Sequence, residues 1–258
     1  MPSRFFAIFL IVCLNNSITL AQEKAFQEGE WLSYKIKYGW FNASKASLKV
    51  SLEKLDDKKV YHIKGNGKSV GLLDVFFKVR DRYETYTDTS QVIPYKFIRN
   101  LSEGGYTKDK MIRFNHEKNI ATVHDFKKDT IHQHQFKNKT QDMLSALYYL
   151  RNIIDNDKLK IGQEFKLNMF FDEQNYDFKT KFLGRETIDT KFGKIKCLMF
   201  RPIVKSGRVF KEQESVTIWI TDDKNKIPIQ IRADLAVGSL TAKLHQFKGL
   251  KHSFKITM

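Results

Sequence analysis

Apolar and polar residues alternate with a period of two along most of this chain. In EWLSYKIKYG, Leu32, Tyr34, Ile36 and Tyr38 share one face, while Ser33, Lys35 and Lys37 share the other. Ala46, Leu48, Val50 and Leu52 repeat the pattern. So do Phe165, Leu167, Met169 and Phe171, and then Tyr176, Phe178, Thr180 and Phe182. Strands written this way bury one face and wet the other, the habit of antiparallel sheets. Turn residues punctuate them at Asp56-Asp57, Gly65-Asn66-Gly67, Gly104-Gly105, Lys191-Phe192-Gly193 and Asp222-Asp223, and we count roughly a dozen strands or more.

One segment breaks the rule. KTQDMLSALYYLRNII reads as a helix over 140–155, with Thr140 as N-cap and Asp142 in the first turn, where a negative charge suits the helix dipole. Leu144, Leu147, Tyr148 and Arg151 make one stripe, and Met143, Ala146, Leu150 and Ile154 another. A helix apolar around so much of its circumference is buried. A shorter helix is expected near 71–75. A sheet this long must curl, and its concave side is where such a helix fits. The expected fold is therefore mainly β: a long antiparallel sheet curled into a half-barrel or open barrel, with one central buried helix. A β-sandwich of two meanders is the alternative.

The same punctuation occurs twice. TDTSQVIP at 87–94 and TDDKNKIP at 221–228 each read as strand, Asp-initiated turn and a second strand entered through proline. Two matched hairpins flanking the helix suggest two similar lobes, 26–137 and 161–250, within one β-rich domain spanning 22–258.

The first 21 residues read as a secretory signal. Arg4 supplies a positive start, Phe5 to Leu14 an apolar core too short for a stable anchor, and Thr19 and Ala21 the small residues before cleavage. Cys13 lies within that core, behind Leu10-Ile11-Val12 rather than small residues, which disfavours lipidation. Cleavage leaves Cys197 as the one cysteine, in a strand-like setting that suits a buried, inert thiol. The chain is then exported, periplasmic or envelope-associated, with no transmembrane segment after the signal.

Taken in order, GEWLSYKIKYGWFNASKASLKV, DRYETYTD, IPYKF, QDMLSALYYLRN and ESVTIWITDDKNKIPIQI resemble an exported bacterial family, domain of unknown function 3108. The likeness runs from about Phe26 to Leu244 and implies no established activity. The family is similar at the level of fold to envelope proteins that curl a sheet around a helix, such as the lipoprotein carriers.

Chemical signatures are sparse. No G-x-S-x-G elbow occurs. His116-Glu117 begins like a zinc-protease helix, but Ile120 stands where the second histidine belongs, and Gly67-Lys68-Ser69 has His62 in place of the first phosphate-loop glycine. His132 and His134 share a strand face that reads as a solvated polar surface. No catalytic residue, cofactor or metal site is assigned, and the chain reads as no enzyme. Arg80, Tyr148, Arg151 and Trp219 are the candidate ligand-lining residues, each placed on a helix or strand facing the presumed interior. Asp81 shares a face with Val79 and Tyr83. An Asp81–Arg151 ion pair is expected to lock helix to sheet, since a lone buried charge costs several kcal/mol.

The net charge of +16 completes the picture. Eight Lys or Arg face two acids between Phe178 and Lys205, and four lysines follow Asp234 with no acid. In an exported chain nucleic acid is not the expected polyanion; anionic lipid, lipopolysaccharide or acidic glycan is. The sequence thus points to an envelope protein that binds an apolar or amphipathic, lipid-like ligand, or a protein partner, in a concave cavity. A structural or assembly factor whose cavity is filled is the alternative. A glycan hydrolase, for which no carboxylate pair stands out, is the third.

Overall fold

The computed structural model describes residues 23–203 and 216–257. The signal segment 1–21 lies outside the described residues. Eight strands precede the main helix: β1 (Trp31–Tyr38), β2 (Phe41–Leu55), β3 (Lys58–Ser69), β4 (Arg80–Asp88), β5 (Pro94–Glu103), β6 (Tyr106–Asn115), β7 (Ile120–Asp125) and β8 (Thr130–Gln135). Helix α1 (Leu72–Phe76) falls between β3 and β4, and helix α2 (Met143–Ile153) follows β8. Six more strands complete the chain: β9 (Glu164–Phe171), β10 (Gln174–Thr190), β11 (Gly193–Ile203), β12 (Val216–Thr221), β13 (Pro228–Asp234) and β14 (Ser239–Lys248).

All fourteen strands join one sheet, in the order β8-β7-β6-β5-β4-β3-β2-β1-β14-β13-β12-β11-β10-β9. Two meanders, β1–β8 and β9–β14, are joined in the sheet by the β1·β14 ladder running from Trp31–Lys248 to Tyr38–Leu240. One continuous sheet replaces the sandwich alternative. It curls without closing, and α2 packs against β3 and β4 of one meander and β9 of the other. Gly65-Asn66-Gly67 is not a turn; it stays within β3, and a Cβ on Gly65 would already sit 3.4 Å from Leu48 and 3.6 Å from Leu144. Glycine there lets the helix approach the sheet closely.

Unpaired edges invite aggregation unless they are covered. The β9 edge is covered by the chain entering α2: Gln141 N donates to Asn168 O at 2.8 Å, and Phe170 N donates to Gln141 O at 2.9 Å. Across the gap, Asn175 Nδ2 donates to Gln135 O at 2.8 Å. The β9–β10 turn latches onto β5, β6 and β8, with Asp172 2.6 Å from Arg99 and 2.7 Å from Lys108, and Glu173 held by Lys110 and His134.

Helix α2 begins two residues later than the sequence suggests. Asp142, not Thr140, is its N-cap: the carboxylate accepts from Leu144 N (2.8 Å) and Ser145 N (2.9 Å), and the Ser145 hydroxyl accepts from Asp142 N (2.8 Å). This reciprocal box satisfies three backbone N–H groups. The apolar circumference serves three cores. Leu144 joins Phe97, Phe114, Phe136 and Phe170; Tyr148 joins Phe26, Val50, Ile63 and Val92; Leu150 and Ile154 join Phe182, Leu198, Phe200 and Ile220.

The repeated turns match in backbone but not in the acid that holds them, since Asp223, not the aligned Asp222, takes the part that Asp88 plays. Val92 and Lys226, equivalent in the two motifs, both take a left-handed conformation, with φ of 61° and 48°. In each, the residue after proline, Tyr95 or Ile229, is extra to the ladder. Asp88 accepts from the backbone N–H of Ser90, Gln91 and Ile93, and Asp223 from those of Asn225 and Lys226. Both turns bear on α2: Val92 packs in the Tyr148 cluster, and Arg151 grips Asn225 O.

Candidate functional site

The expected Asp81–Arg151 pair does not form. Arg151, 1% exposed, meets Glu30 instead: Nη1 is 2.7 Å from Oε1 and Nη2 2.7 Å from Oε2, and Glu30 is 0% exposed. Nε and Nη2 also donate to Asn225 O at 3.0 and 2.9 Å, and Nη2 reaches Ala25 O at 3.3 Å. Burial works against the guanidinium charge, but the Glu30 carboxylate outweighs it and raises the pKa. Glu30 wins because the segment leading into β1 runs beneath α2, whereas Asp81 lies at the far end of β4. Tyr148 stacks edge-on against Phe26 at 4.8 Å and is itself fully buried. The interior is therefore filled by the helix and its polar lock, and neither Tyr148 nor Arg151 lines open space.

Arg80 and Trp219 sit elsewhere than expected. Arg80 is exposed on the face away from α2 and ties α1 to β4, with Nη1 and Nη2 at 2.6 and 3.0 Å from the two Asp74 oxygens. Trp219 is half-buried and donates from Nε1 to Glu186 Oε2 at 2.7 Å. Its ladder partners are Met199 and Gln230, while Ile218 and Ile220, on the opposite face, pack with α2. Alternation in VTIWIT already carries this parity; the bulge lies in β13 at Ile229 and leaves β12 regular.

Asp81 turns to another acid. Burial and a hydrogen bond with Glu103 push its pKa up to about 6. Carboxyls in such contact share a proton and lie closer than the separation of about 5 Å or more that glycosidic chemistry uses. His62 is held between Glu53 and Glu84 at 2.6 Å each and stacks on Tyr86 at 4.2 Å. Among the described residues no group of three or more His, Cys, Asp or Glu side chains is arranged to hold a metal ion, and no helix is long and apolar enough to cross a membrane. Cys197 is buried, and desolvation pushes its thiol up to about 12, as suits an inert cysteine.

One end of the barrel is different. A pocket of about 460 Å³ opens between the β1–β2 turn, α1 and the start of β14, lined by Tyr38, Phe41, Asn42, Ala43, Leu72, Leu73, Phe76 and Leu240. Its rim carries large apolar side chains in water: Trp40 is 79% exposed, Phe76 78%, Val237 77% and Val75 76%. Trp40 stacks on Phe41 at 3.7 Å, and Tyr38 Oη donates to Val237 O at 2.9 Å, so separate turns hold the rim together. Helix α1 has no buried residue; the Arg80–Asp74 pair and Ser69 Oγ, 2.5 Å from Asp74, hold it in place. Sequence reasoning placed α1 but missed this patch, because its residues lie in turns where alternation carries no signal. The only local sign was the run of Leu72-Leu73, Val75 and Phe76-Phe77 without a strand or helix long enough to bury it.

A curled, unclosed antiparallel sheet around one helix defines the β-barrel-like class. The chain is similar to a crystal structure of a beta-barrel-like protein of domain of unknown function DUF1849 from Brucella abortus, with TM-score 0.53 and 8% identity over 86% of this chain and 98% of that one. A DUF1089 family protein from Pseudomonas aeruginosa matches at TM-score 0.38 and 7% identity over 78% and 92% of the two chains, too distant to carry an argument. No curated protein matches the chain. The chain belongs to the family described as Protein of unknown function (DUF3108), whose model matches residues 33–245.

Proposed function

We propose that this is an exported, non-enzymatic protein of the cell envelope that binds an apolar or amphipathic, lipid-like ligand at the open end of its barrel. The observation that carries the reading is the apolar pocket beneath α1 with its rim of solvent-exposed Trp40, Val75, Phe76 and Val237. Ligand pockets run from about 300 to 1,000 Å³ and are mostly apolar, and exposed apolar patches of this kind mark binding surfaces. The ligand site thus moves from the concave interior to its mouth. A second reading, an envelope structural or assembly factor, is favoured by the filled interior around Tyr148 and Arg151.

Native mass spectrometry of protein purified from an envelope extract separates the two. A reproducible bound lipid, lost in Phe41→Ser/Phe76→Ser and retained in Tyr148→Phe, supports the ligand reading. A clean apo mass after incubation with envelope lipids overturns it and leaves the assembly factor.

A further inference from the structure

Lys243 faces Lys35 across β1·β14, Lys35 faces Lys45 across β1·β2, Lys45 faces Lys68 across β2·β3, and Lys68 faces Arg80 across β3·β4. Five neighbouring strands present five cations in one row, on the face turned away from α2. With strands about 4.8 Å apart the row is about 19 Å long. Like charges directly opposite one another weaken a sheet. Arg80 is answered by Asp74, but among the described residues Lys35, Lys45, Lys68 and Lys243 have no carboxylate at ion-pair distance. The arrangement lowers stability and asks for an anion from outside.

Both ends of the row are shaped. At β14 a cleft of about 390 Å³ forms where the tip of the β10–β11 hairpin covers the strands, bringing Lys191 and Asp189 over a floor that includes Lys35, Lys37, Arg232 and Lys243. Lys191 Nζ lies 3.2 Å from His245 Nδ1. Toward β4 a groove holds Trp31, Ser33, Ser47 and Asn66 beside Lys45 and Lys68. These offer a ring face and hydroxyl and amide groups next to the charges.

We propose that this row binds a linear anionic glycan laid across the strands. A flat bilayer cannot enter beneath the hairpin, whereas a chain can thread it. Regularly spaced cations match regularly spaced carboxylates or sulfates, and Trp31, the serines and Asn66 supply what sugar rings and hydroxyls need. The site lies on the opposite face of the sheet from the apolar pocket and does not depend on it.

The test is a titration of the full protein with oligogalacturonate, a linear carboxylated glycan, followed by NMR of the His245 ring. Partial burial first, then Lys191, Lys35 and Lys45, depress the His245 pKa; Lys243 and Asp189 also line its cleft. Binding is expected to shift the ring signals saturably, raise the His245 pKa and weaken with added salt. Lys35→Ser/Lys45→Ser/Lys243→Ser is expected to lose at least tenfold in affinity while melting no lower than wild type, because repulsion has been relieved. Lys54→Ser/Lys118→Ser, remote from the row, is expected to bind normally. Absence of a saturable shift, or equal binding by the triple variant, overturns the proposal. So does binding confined to phosphatidylglycerol vesicles, which would assign the row to a membrane surface.

Discussion

Arg151 on α2 and Glu30 before β1 form a bidentate pair sealed from water, with both N–O distances 2.7 Å, and the backbone carbonyls of Asn225 and Ala25 accept further hydrogen bonds from Nε and Nη2. Removing either partner strands a buried charge. Glu30→Ala or Arg151→Ala is expected to cost about 3–5 kcal/mol in urea unfolding. The double variant should lose clearly less than the sum, since the partners are coupled. Arg151→Lys should not rescue, because an ammonium cannot reproduce the fork. Additive single losses would show that the pair is not the lock described.

Asp142 gives a pH signature with a definite sign. Burial, only partly opposed by the Thr85 hydroxyl and the cap N–H groups, pushes its pKa up from 3.8 to about 6. Between those values the folded state holds a proton that the unfolded chain has released. The stabilisation is therefore fully present below the unfolded value and is lost as pH rises through about 6. Asp142→Asn keeps an acceptor for the cap and should flatten the dependence of melting temperature on pH between 4 and 7. Asp142→Ala should lose about 1–2 kcal/mol of capping, and more because the Thr85 hydroxyl is left buried without its acceptor. Asp81→Asn should likewise relieve the contact with Glu103 and raise stability at pH 7 relative to pH 4.

Gly249 is a backbone contact as well as a turn. At φ 67° it places the site of a missing Cβ 2.2 Å from Gly29 O. Gly249→Ala is expected to cost more than the 1–2 kcal/mol of left-handed strain alone, because the entry to β1 must move. Gly39→Ala, at φ 53° with nothing near its Cβ position, should show the strain and no more. Equal melting-temperature losses in the two variants would refute the clash.

Cys197 should resist alkylation by iodoacetamide at pH 8 in the native protein and react at once in urea, as followed by peptide mass mapping. Its buried thiol is held near 12 by desolvation and by Glu186, Asp222 and Asp223. Ready native labelling would show that β11 opens locally.

How far the sequence could be read follows from the range of each signal. Alternation is local and periodic, so the strands, the antiparallel sheet, α2 and the two proline-entered turns were legible, although the second turn is held by Asp223 and not by the Asp222 that aligns with Asp88. The partner of Arg151 was not, because need for a counter-charge does not say which acid the fold delivers; Glu30 lies 121 residues away. Trp219 was legible but misread, since alternation in VTIWIT already sets it on the face opposite Ile218 and Ile220. The mouth at Trp40 and Phe76 and the cation row were invisible for a shared reason. Each is assembled from residues on several strands or turns, and only the register between Lys35, Lys45, Lys68 and Lys243 makes them neighbours.

The β1·β14 junction also sets the order in which this molecule can be made. Hairpins within each meander need only local chain and form early. The ladder that unites them joins Trp31 to Lys248 and waits for the end of the chain. Until then β1 and β13 each keep a free edge, and long-range pairing is slow and exposed to aggregation. If the chain crosses a membrane from its N-terminus, the first meander must persist half-finished in the new compartment until the last strand arrives. A chaperone that shields strand edges would be needed most during that interval, and a chain truncated before β14 would never leave it.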